Sequence, residues 1–369
     1  MSDEIRHSPF HPQITAKTGE QCHWGRLYGS SKSLVISRII DEKDVPVIVV
    51  TKDSLQASRF TEELKFYTGE HPENRILTFP DWETLPYDLF SPFQDIISER
   101  LATLASLASF RKGVLVVPVT TVMHRLLPKA YLNSHCLMLS TGQQLDINVF
   151  KRDLISAGYR IVAQVMEHGD SAVRGSLIDI FPMGAKMPFR IDMFDDEIDS
   201  IRIFDPETQR SLDKIENINI LPAKEVALTD AGIAKFRASW REKFAGNPGQ
   251  CPVYHDVSQG LAPAGIEYYL PLFYQETNTL FDYIVDEAVI ILDEDIRETM
   301  EGFWNDIEDR YEQGRHDIER PLLPPGELYL NQQELFIRIK PFSLSNTEGL
   351  TENTPLLPYA LCVFNRPPT

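Results

Sequence analysis

Two continuous apolar runs constrain the fold most strongly. Residues 45–51 (Val-Pro-Val-Ile-Val-Val-Thr) and 113–119 (Gly-Val-Leu-Val-Val-Pro-Val) lack the polar positions of a half-exposed strand. Such runs are typical of strands buried on both faces of a parallel sheet. Apolar residues at helical spacing follow the first run at 54–67 and precede the second at 98–110. Because strands and helices alternate, we predict an α/β domain with helices on both faces of a parallel sheet.

The pattern changes between about Leu137 and Leu221, where the strands become short, alternating and connected by turns. One helix is expected there, near 146–158, which predicts an α+β unit with antiparallel pairing. Helical spacing returns afterwards, at 229–244 and 295–311. We therefore predict one α/β domain that is discontinuous in sequence, with an antiparallel α+β domain inserted into it. The expected boundaries are 1–136 and 223–330 for the two parts, 137–222 for the insert, and 331–369 for a linker or the start of a further domain of a longer chain.

Composition limits the possible partners. Hydrophobic residues make up 43% and charged residues 24% of the 369 residues, as in ordinary globular proteins, but the net charge is -18. This charge repels a phosphate backbone, and there is no dense Lys/Arg run to offset it. The four cysteines form no CxxC pair, so neither a metal site nor a disulfide framework is expected. The sequence contains neither a signal peptide nor an apolar run of roughly 20 residues, which predicts a cytoplasmic protein without membrane contact.

Three antiparallel strands are predicted inside the insert, at 173–182, 189–194 and 198–205. The middle strand alternates two sets of side chains, Phe189, Ile191 and Met193 in one and Arg190, Asp192 and Phe194 in the other. One face should therefore pack on a core while the other, with Phe194, meets solvent. An exposed aromatic beside arginine is common in interface hot spots, although single exposed aromatics also occur on ordinary surfaces. The pattern alone leaves both interpretations open.

Residues 26–33 (Arg-Leu-Tyr-Gly-Ser-Ser-Lys-Ser) partly match the phosphate-binding P-loop, G-x-x-x-x-G-K-[ST]. Lys32 and Ser33 fit, but Arg26 and Ser31 replace the two glycines that allow backbone N–H groups to wrap around phosphates. We predict a degenerate P-loop in which Gly29, Ser30, Lys32 and Ser33 are remnants. No cofactor is expected to bind in this chain.

Other chemical candidates are weaker. Asp293-Glu294 follows an apolar run at the place where a nucleotide motor holds magnesium, but without a P-loop it is expected to be a solvated acidic strand end. His168 is expected to be an ordinary turn histidine. Trp82 and Tyr87 are more consistent with packing than with a platform for base stacking. The acidic helix 295–312 is predicted to be a solvated face.

Several longer segments resemble a known family. These segments are 81–101, 164–169, 174–175, 179–184, 194–200 and 263–269. They resemble the N-terminal module of the bacterial transcription-repair coupling factors, the Mfd family, from about residue 15 to about residue 330. The module is also similar to the damage-recognition protein UvrB. UvrB keeps an intact P-loop and a tyrosine-rich hairpin that inserts into DNA, whereas the corresponding region here, 82–95, is short and has no tyrosine cluster.

The resemblance implies a RecA/helicase-like α/β domain whose insert docks the repair protein UvrA through Arg174, Arg190 and Phe194. Arg174 could instead simply pair with Asp179 or Glu167. In the family, the ATP- and magnesium-dependent translocase on double-stranded DNA and the RNA polymerase contact lie further along the chain. This chain would then be a non-catalytic recruiter of UvrA for nucleotide excision repair. The resemblance also implies that the C-terminal part of the intact protein covers the docking face until polymerase is engaged.

Two alternatives remain open at this point. One is an active, ATP-dependent helicase or damaged-DNA binder of the UvrB kind. The other is an interaction module for a different partner.

Overall fold

The computed structural model describes residues 21–23, 27, 29–69 and 75–346, with the backbone alone at 21–23 and 343–346. Elements are numbered along the chain. The strands are β1 (Gln21–His23), β2 (Pro46–Thr51), β3 (Ile76–Thr78), β4 (Gly113–Pro118), β5 (Leu137–Ser140), β6 (Arg160–Ile161), β7 (Asp170–Arg174), β8 (Leu177–Ile180), β9 (Phe189–Phe194), β10 (Glu197–Phe204), β11 (Ser211–Ile215), β12 (Asn217–Ile220), β13 (Val289–Leu292) and β14 (Ser343–Asn346). The helices are α1 (Ser31–Glu42), α2 (Ser54–Thr68), α3 (Gln94–Leu107), α4 (Val119–Val122), α5 (Lys129–Ser134), α6 (Ile147–Ser156), α7 (Asp230–Lys243), α8 (Pro252–Ser258), α9 (Leu280–Tyr283), α10 (Ile296–Gly314), α11 (Pro325–Leu328) and α12 (Gln332–Ile339).

A six-stranded parallel sheet forms the scaffold, in the order β1-β14-β13-β2-β4-β3. Every residue of β2 and β4 is buried, as their apolar sequences predict. Helices α1 and α2 cover one face through Ile36, Ile39, Phe60 and Leu64. The other face belongs to a larger core that includes α3. The predicted α/β class with a parallel sheet is confirmed.

The helix boundaries follow local hydrogen-bonding signals. The Asp53 side chain accepts from the Gln56 N–H and starts α2, which ends before Gly69 at a φ of 63°. Thr229 likewise accepts from the Gly232 N–H and starts α7. Both helices match the prediction closely, whereas α3 begins at Gln94, four residues before the predicted start at Ser98. Helix starts without a side-chain cap, such as the one after Phe93, are the hardest to predict.

The insert is built on a second six-stranded sheet, in the order β11-β10-β9-β8-β7-β6, beside the two-stranded pair β12-β5. Its pairs are antiparallel except for β6 and β7, which are parallel. The predicted single strand 173–182 was wrong, because the chain turns back at Gly175-Ser176 and forms β7 and β8. Gly175 has a φ of 62°, which glycine adopts without steric cost. The predicted trio of strands is therefore a group of four.

After residue 330, where the sequence predicts a linker or the start of a further domain, the structure continues the α/β domain over 332–346. These residues form α12 and β14, and β14 lies between β13 and β1 in the parallel sheet. The prediction missed β14 because Ser-Leu-Ser-Asn has one apolar residue and lacks the continuous apolar run of β13. The second part of the α/β domain thus extends at least to Asn346. Residues 347–369 lie outside the described part of the chain.

A fully buried ion pair joins the scaffold to the chain segment that leaves the insert. Arg100 on α3 donates through Nε to Glu225 Oε1 at 2.7 Å, and both side chains have 0% exposure. Arg100 Nη1 also donates to the Pro80 carbonyl at 2.8 Å, and Trp82 Nε1 donates to Glu225 Oε2 at 3.3 Å. The guanidinium carbon of Arg100 lies 4.5 Å from the Phe79 ring centroid. These contacts hold residues 79–82, α3 and the exit of the insert together.

We predict that Arg100→Ala lowers the free energy of unfolding by about 3–5 kcal/mol, since it leaves Glu225 buried without a counter-charge. Urea denaturation followed by circular dichroism measures this loss. Arg59→Ala is the control, because Arg59 forms an exposed i,i+4 pair with Glu63 and its loss should cost about 0.5 kcal/mol or less. Equal effects of the two substitutions would contradict the role assigned to Arg100.

Candidate docking surface and degenerate phosphate site

Strand register places the candidate docking residues on one side of the insert sheet. Two rows of directly opposed residues cross the strands. One row contains Arg174, Leu177 and Asp192, and the other contains Asp179, Arg190 and Arg202. Directly opposed residues point to the same side of a sheet. Phe194 lies two residues beyond Asp192 on the same strand and so shares this side. We call this set the polar face: Arg174, Leu177, Asp179, Arg190, Asp192, Phe194 and Arg202.

The opposite side of the sheet is apolar and packs on the large core. Ile178, Ile191 and Ile201 are each 0% exposed and lie in one cross-strand row. The alternation in β9 that the sequence predicts is therefore present. It fixes the direction of the polar face, because a shift of one residue would bury its charges.

Asp179 anchors both candidate arginines. Its side chain is 1% exposed and accepts two hydrogen bonds from Arg190, from Nε at 2.7 Å and from Nη2 at 2.9 Å, and a third from Arg174 Nη2. The hydrogen bond to Asp179 is the main reason that the pKa of Arg190 is raised above its usual value. The guanidinium carbon of Arg190 also lies 4.7 Å from the Phe204 ring centroid. Arg190 is consequently fixed in one orientation.

The two arginines differ in their accessibility. The Arg190 side chain is 17% exposed, whereas that of Arg174 is 47% exposed. The pairing of Arg174 with Asp179, left open by the sequence, is present, while Glu167 pairs with Arg160. Arg174 therefore offers more free surface to a partner than Arg190 does.

Phe194 is the most prominent apolar group of the polar face. It is 77% exposed at the end of β9, as its place in the alternation predicts. Its neighbour Met193 is buried, and Asp195 turns the chain with a φ of 58°. The ring therefore projects from a well-packed strand end. The assignment of Arg174, Arg190 and Phe194 as partner-binding residues stays a prediction.

Arg202 is a residue of the polar face that the sequence analysis did not single out. Arg202 lies on β10, opposite Arg190 of β9 and opposite Lys214 of β11. Its alternation with buried Ile201 was the available signal. Arg202 and Lys214 therefore add positive charge to this face, whereas the chain as a whole is strongly acidic.

The predicted P-loop remnants contact other side chains of the protein itself. Gly29 has a φ of 56° and precedes α1, which begins at Ser31. Lys32 Nζ lies 2.8 Å from both Asp293 Oδ1 and Glu294 Oε1, at the carboxyl end of β13. Burial alone would lower the pKa of Lys32, but the hydrogen bonds and charges of these carboxylates outweigh it and raise the pKa. Lys32 is therefore a charged partner of an internal acidic pair.

The remaining polar groups of this site also have internal partners. Ser33 Oγ donates to Glu63 Oε2 at 2.6 Å, and Ser30 Oγ lies 2.8 Å from Tyr67 Oη. The cavity beside them measures about 160 Å³, below the roughly 300–1,000 Å³ of ordinary ligand pockets. Arg26, the other substituted position of the motif, lies outside the described residues.

The expectation of a solvated acidic strand end at Asp293-Glu294 was wrong for Asp293. This residue is 4% exposed, because the parallel sheet brings the end of β13 next to the start of α1 and hence to Lys32. Glu294, with a side chain 45% exposed, does face solvent. Sequence spacing alone could not show this contact across 261 positions.

The weaker candidate residues of the sequence analysis make contacts within the protein. His168 contacts Asp95 Oδ1 through Nδ1 at 2.7 Å and the Ala185 carbonyl through Nε2 at 2.8 Å. Trp82 and Tyr87 are 4% and 7% exposed, so they pack in the core as predicted. The described residues contain no group of three or more His, Cys, Asp or Glu placed to hold a metal ion. They also contain no helix long and apolar enough to cross a membrane.

Comparison with known proteins agrees with the sequence resemblance. The UvrB interaction domain family matches residues 137–226. The chain is 43% identical over 89% of its length to the transcription-repair-coupling factor of Escherichia coli (strain K12), and 44% identical over 90% to that of Haemophilus influenzae. The chain therefore corresponds to one module of the transcription-repair-coupling factors.

The similarity extends to more distant relatives but covers only part of each. The chain is 29% identical over 92% of its length to the transcription-repair-coupling factor of Myxococcus xanthus. It spans less than a third of the length of these relatives, 28% of the Escherichia coli protein and 30% of the Myxococcus protein. The matched UvrB interaction domain contains all of the polar face.

We predict that Lys32→Met lowers the free energy of unfolding by about 3 kcal/mol at neutral pH, since it removes a cation that pairs with buried Asp293. The folded-state pKa of Lys32 is raised above the usual 10.5, so its stabilisation is complete below that value and is lost as the pH rises through the folded-state pKa. The difference from wild type should therefore shrink above about pH 10.5. Urea titrations at several pH values measure it. Lys65→Met, at an exposed pair with Glu62, is the matched control.

Proposed function

We propose that this chain is a non-catalytic docking module that recruits UvrA and so links transcription to nucleotide excision repair. The observation that carries the proposal is the polar face, where an aromatic ring 77% exposed lies on the same side of one sheet as two arginines that share a buried carboxylate. Aromatic and arginine side chains on a firm surface are the usual composition of a binding hot spot.

The geometry gives the three residues different roles. Phe194 would enter an apolar pocket of the partner, because it is large and already projects from the strand end. Arg174 would donate to a carboxylate or carbonyl of the partner with the part of its guanidinium that Asp179 leaves free. Arg190 would act mainly as a positioning residue, since its bidentate pair with Asp179 keeps that carboxylate in place for Arg174.

The phosphate site supports a non-catalytic scaffold. Lys32 binds Asp293 and Glu294, and Ser33 binds Glu63, so the groups that would hold phosphate and magnesium in a P-loop have other partners. A nucleotide would need to displace these carboxylates and would meet their repulsion. ATP hydrolysis with magnesium, translocation on double-stranded DNA and contact with RNA polymerase would then belong to other parts of a longer protein.

We predict that Phe194→Ser weakens UvrA binding about 30-fold, equivalent to the ~2 kcal/mol of a hot-spot residue. Arg174→Ala should weaken it about tenfold. Isothermal titration calorimetry with purified UvrA measures both. Phe66→Ser removes an aromatic ring that is 81% exposed on α2, and it should leave binding unchanged.

Arg190→Ala tests the positioning role in the same titration, together with a thermal melt. It should weaken UvrA binding and also lower the melting temperature, because Asp179 loses its main partner. Unchanged UvrA binding in Phe194→Ser, Arg174→Ala and Arg190→Ala would overturn the proposed docking face and favour an interaction module for another partner.

The retained Lys32-Ser33 pair makes a UvrB-like nucleotide-dependent enzyme the second candidate. We expect no saturable binding when the chain is titrated with ATP and Mg²⁺ and followed by a fluorescent nucleotide analogue. Saturable binding that Lys32→Ala abolishes, while Lys65→Ala retains it, would replace the scaffold proposal with an active nucleotide site.

A further inference from the structure

An exposed apolar surface lies on the scaffold, outside the UvrB interaction domain. Four large side chains between residues 85 and 93 point to solvent: Leu85 is 55%, Leu89 62%, Phe90 70% and Phe93 78% exposed. We call residues 85–93 the apolar loop. Single exposed apolar residues are ordinary, but four within nine residues are typical of an interaction site.

The apolar loop is held firmly from beneath. Its residues Pro86, Tyr87 and Pro92 are buried. Tyr87 Oη donates to the Leu323 carbonyl at 2.9 Å, and the Leu85 carbonyl accepts from Tyr268 Oη at 2.7 Å. These contacts tie the loop to the helical part of the core.

Further hydrogen bonds hold the second half of the loop. Ser91 Oγ donates to the buried carboxylate of Glu267 at 2.7 Å and accepts from the Gly265 N–H at 3.0 Å. Arg320 donates to the backbone carbonyls of Tyr87 and Asp88. The loop therefore displays its apolar side chains in a fixed backbone conformation, which reduces the conformational entropy lost on binding.

The charged side chains of the loop's own sequence segment have one sign, although Arg320 contacts two of its backbone carbonyls. Residues 76–99 contain no Lys, Arg or His and five carboxylates, Asp81, Glu83, Asp88, Asp95 and Glu99. Glu83, Asp95 and Glu99 are exposed. An apolar surface with an acidic border is complementary to an apolar surface with a basic border.

We propose that the apolar loop is a docking site for an amphipathic segment of a partner protein whose apolar face is bordered by lysine and arginine. DNA fits less well, because the acidic border repels phosphates and the rings of Trp82 and Tyr87 are buried rather than available for stacking. A second copy of the chain also fits less well, since a symmetric contact would bring two acidic borders together. This site is separate from the polar face.

Fluorescence anisotropy with two labelled peptides tests the proposal. Both peptides are 18-residue helices with Leu and Phe on one face, and they differ only in having Lys or Glu on the flanks. We expect the Lys peptide to bind about tenfold or more tightly than the Glu peptide. The double variant Phe90→Ser/Phe93→Ser should weaken its binding at least about tenfold. Leu55→Ser/Phe66→Ser, which removes equally exposed residues of α2, should not.

Charge is tested separately with Asp88→Asn/Asp95→Asn. The side-chain oxygen of asparagine can still accept from the Leu89 N–H, and its amide can donate to or accept from the His168 ring, so the fold is retained while the acidic border is weakened. This variant should reduce the preference for the Lys peptide several-fold, and added salt should do the same.

Three results would overturn the proposal: equal binding of both peptides or of neither, unchanged binding in the Phe90/Phe93 variant, or no effect of the two aspartate substitutions.

Duplex or single-stranded DNA that binds the wild type and not the Phe90/Phe93 variant would reassign the loop to nucleic acid. A concentration-dependent dimer abolished by the same variant would reassign it to self-association. UvrA titration of the Phe90/Phe93 variant distinguishes this site from the polar face, because binding through Phe194 should be unaffected.

Discussion

The buried pair of Arg100 and Glu225 is the interaction on which the arrangement of the two sheets depends. Glu225 lies just after the chain leaves the insert, and Arg100 lies in the middle of α3 on the scaffold. With neither side chain exposed, the pair keeps its charges only if both elements stay in contact. The direction of the polar face is thus fixed relative to the parallel sheet. Other contacts reinforce it, such as the Gly184 N–H donating to Ser98 Oγ on α3 at 2.8 Å.

The elements that sequence predicts well are those whose pattern reports burial directly. Strands β2 and β4 have uninterrupted apolar sequences, and β9 alternates, so their type and their buried faces could be predicted. The missed elements lack such a pattern. The turn at Gly175-Ser176 interrupts an otherwise strand-like run, and β14, which pairs with β13 and β1, has one apolar residue in four.

The candidate sites show the same limit for interactions between distant residues. The exposure of Phe194 follows from period-two alternation within one strand, so local sequence was sufficient. The contact of Lys32 with Asp293 joins residues 261 positions apart and depends on the order of strands in the sheet. Likewise, only the register of β8 and β9 shows that Arg174 and Arg190 share Asp179. Contacts between residues so far apart in sequence can be identified only when the fold is known.

The position of β14 sets a lower limit on the length of chain that can form this scaffold. Because β1 pairs with β14 rather than with β13, strands from the two ends of the described chain together form one edge of the sheet. A shorter polypeptide ending near residue 330 would leave the backbone donors and acceptors along one side of β13 without a neighbouring strand. Such an open edge favours pairing between molecules and hence aggregation. Strand β1 would at the same time lose the strand with which it pairs. The place of β1 in the sheet therefore depends on a segment more than 300 residues further along the chain.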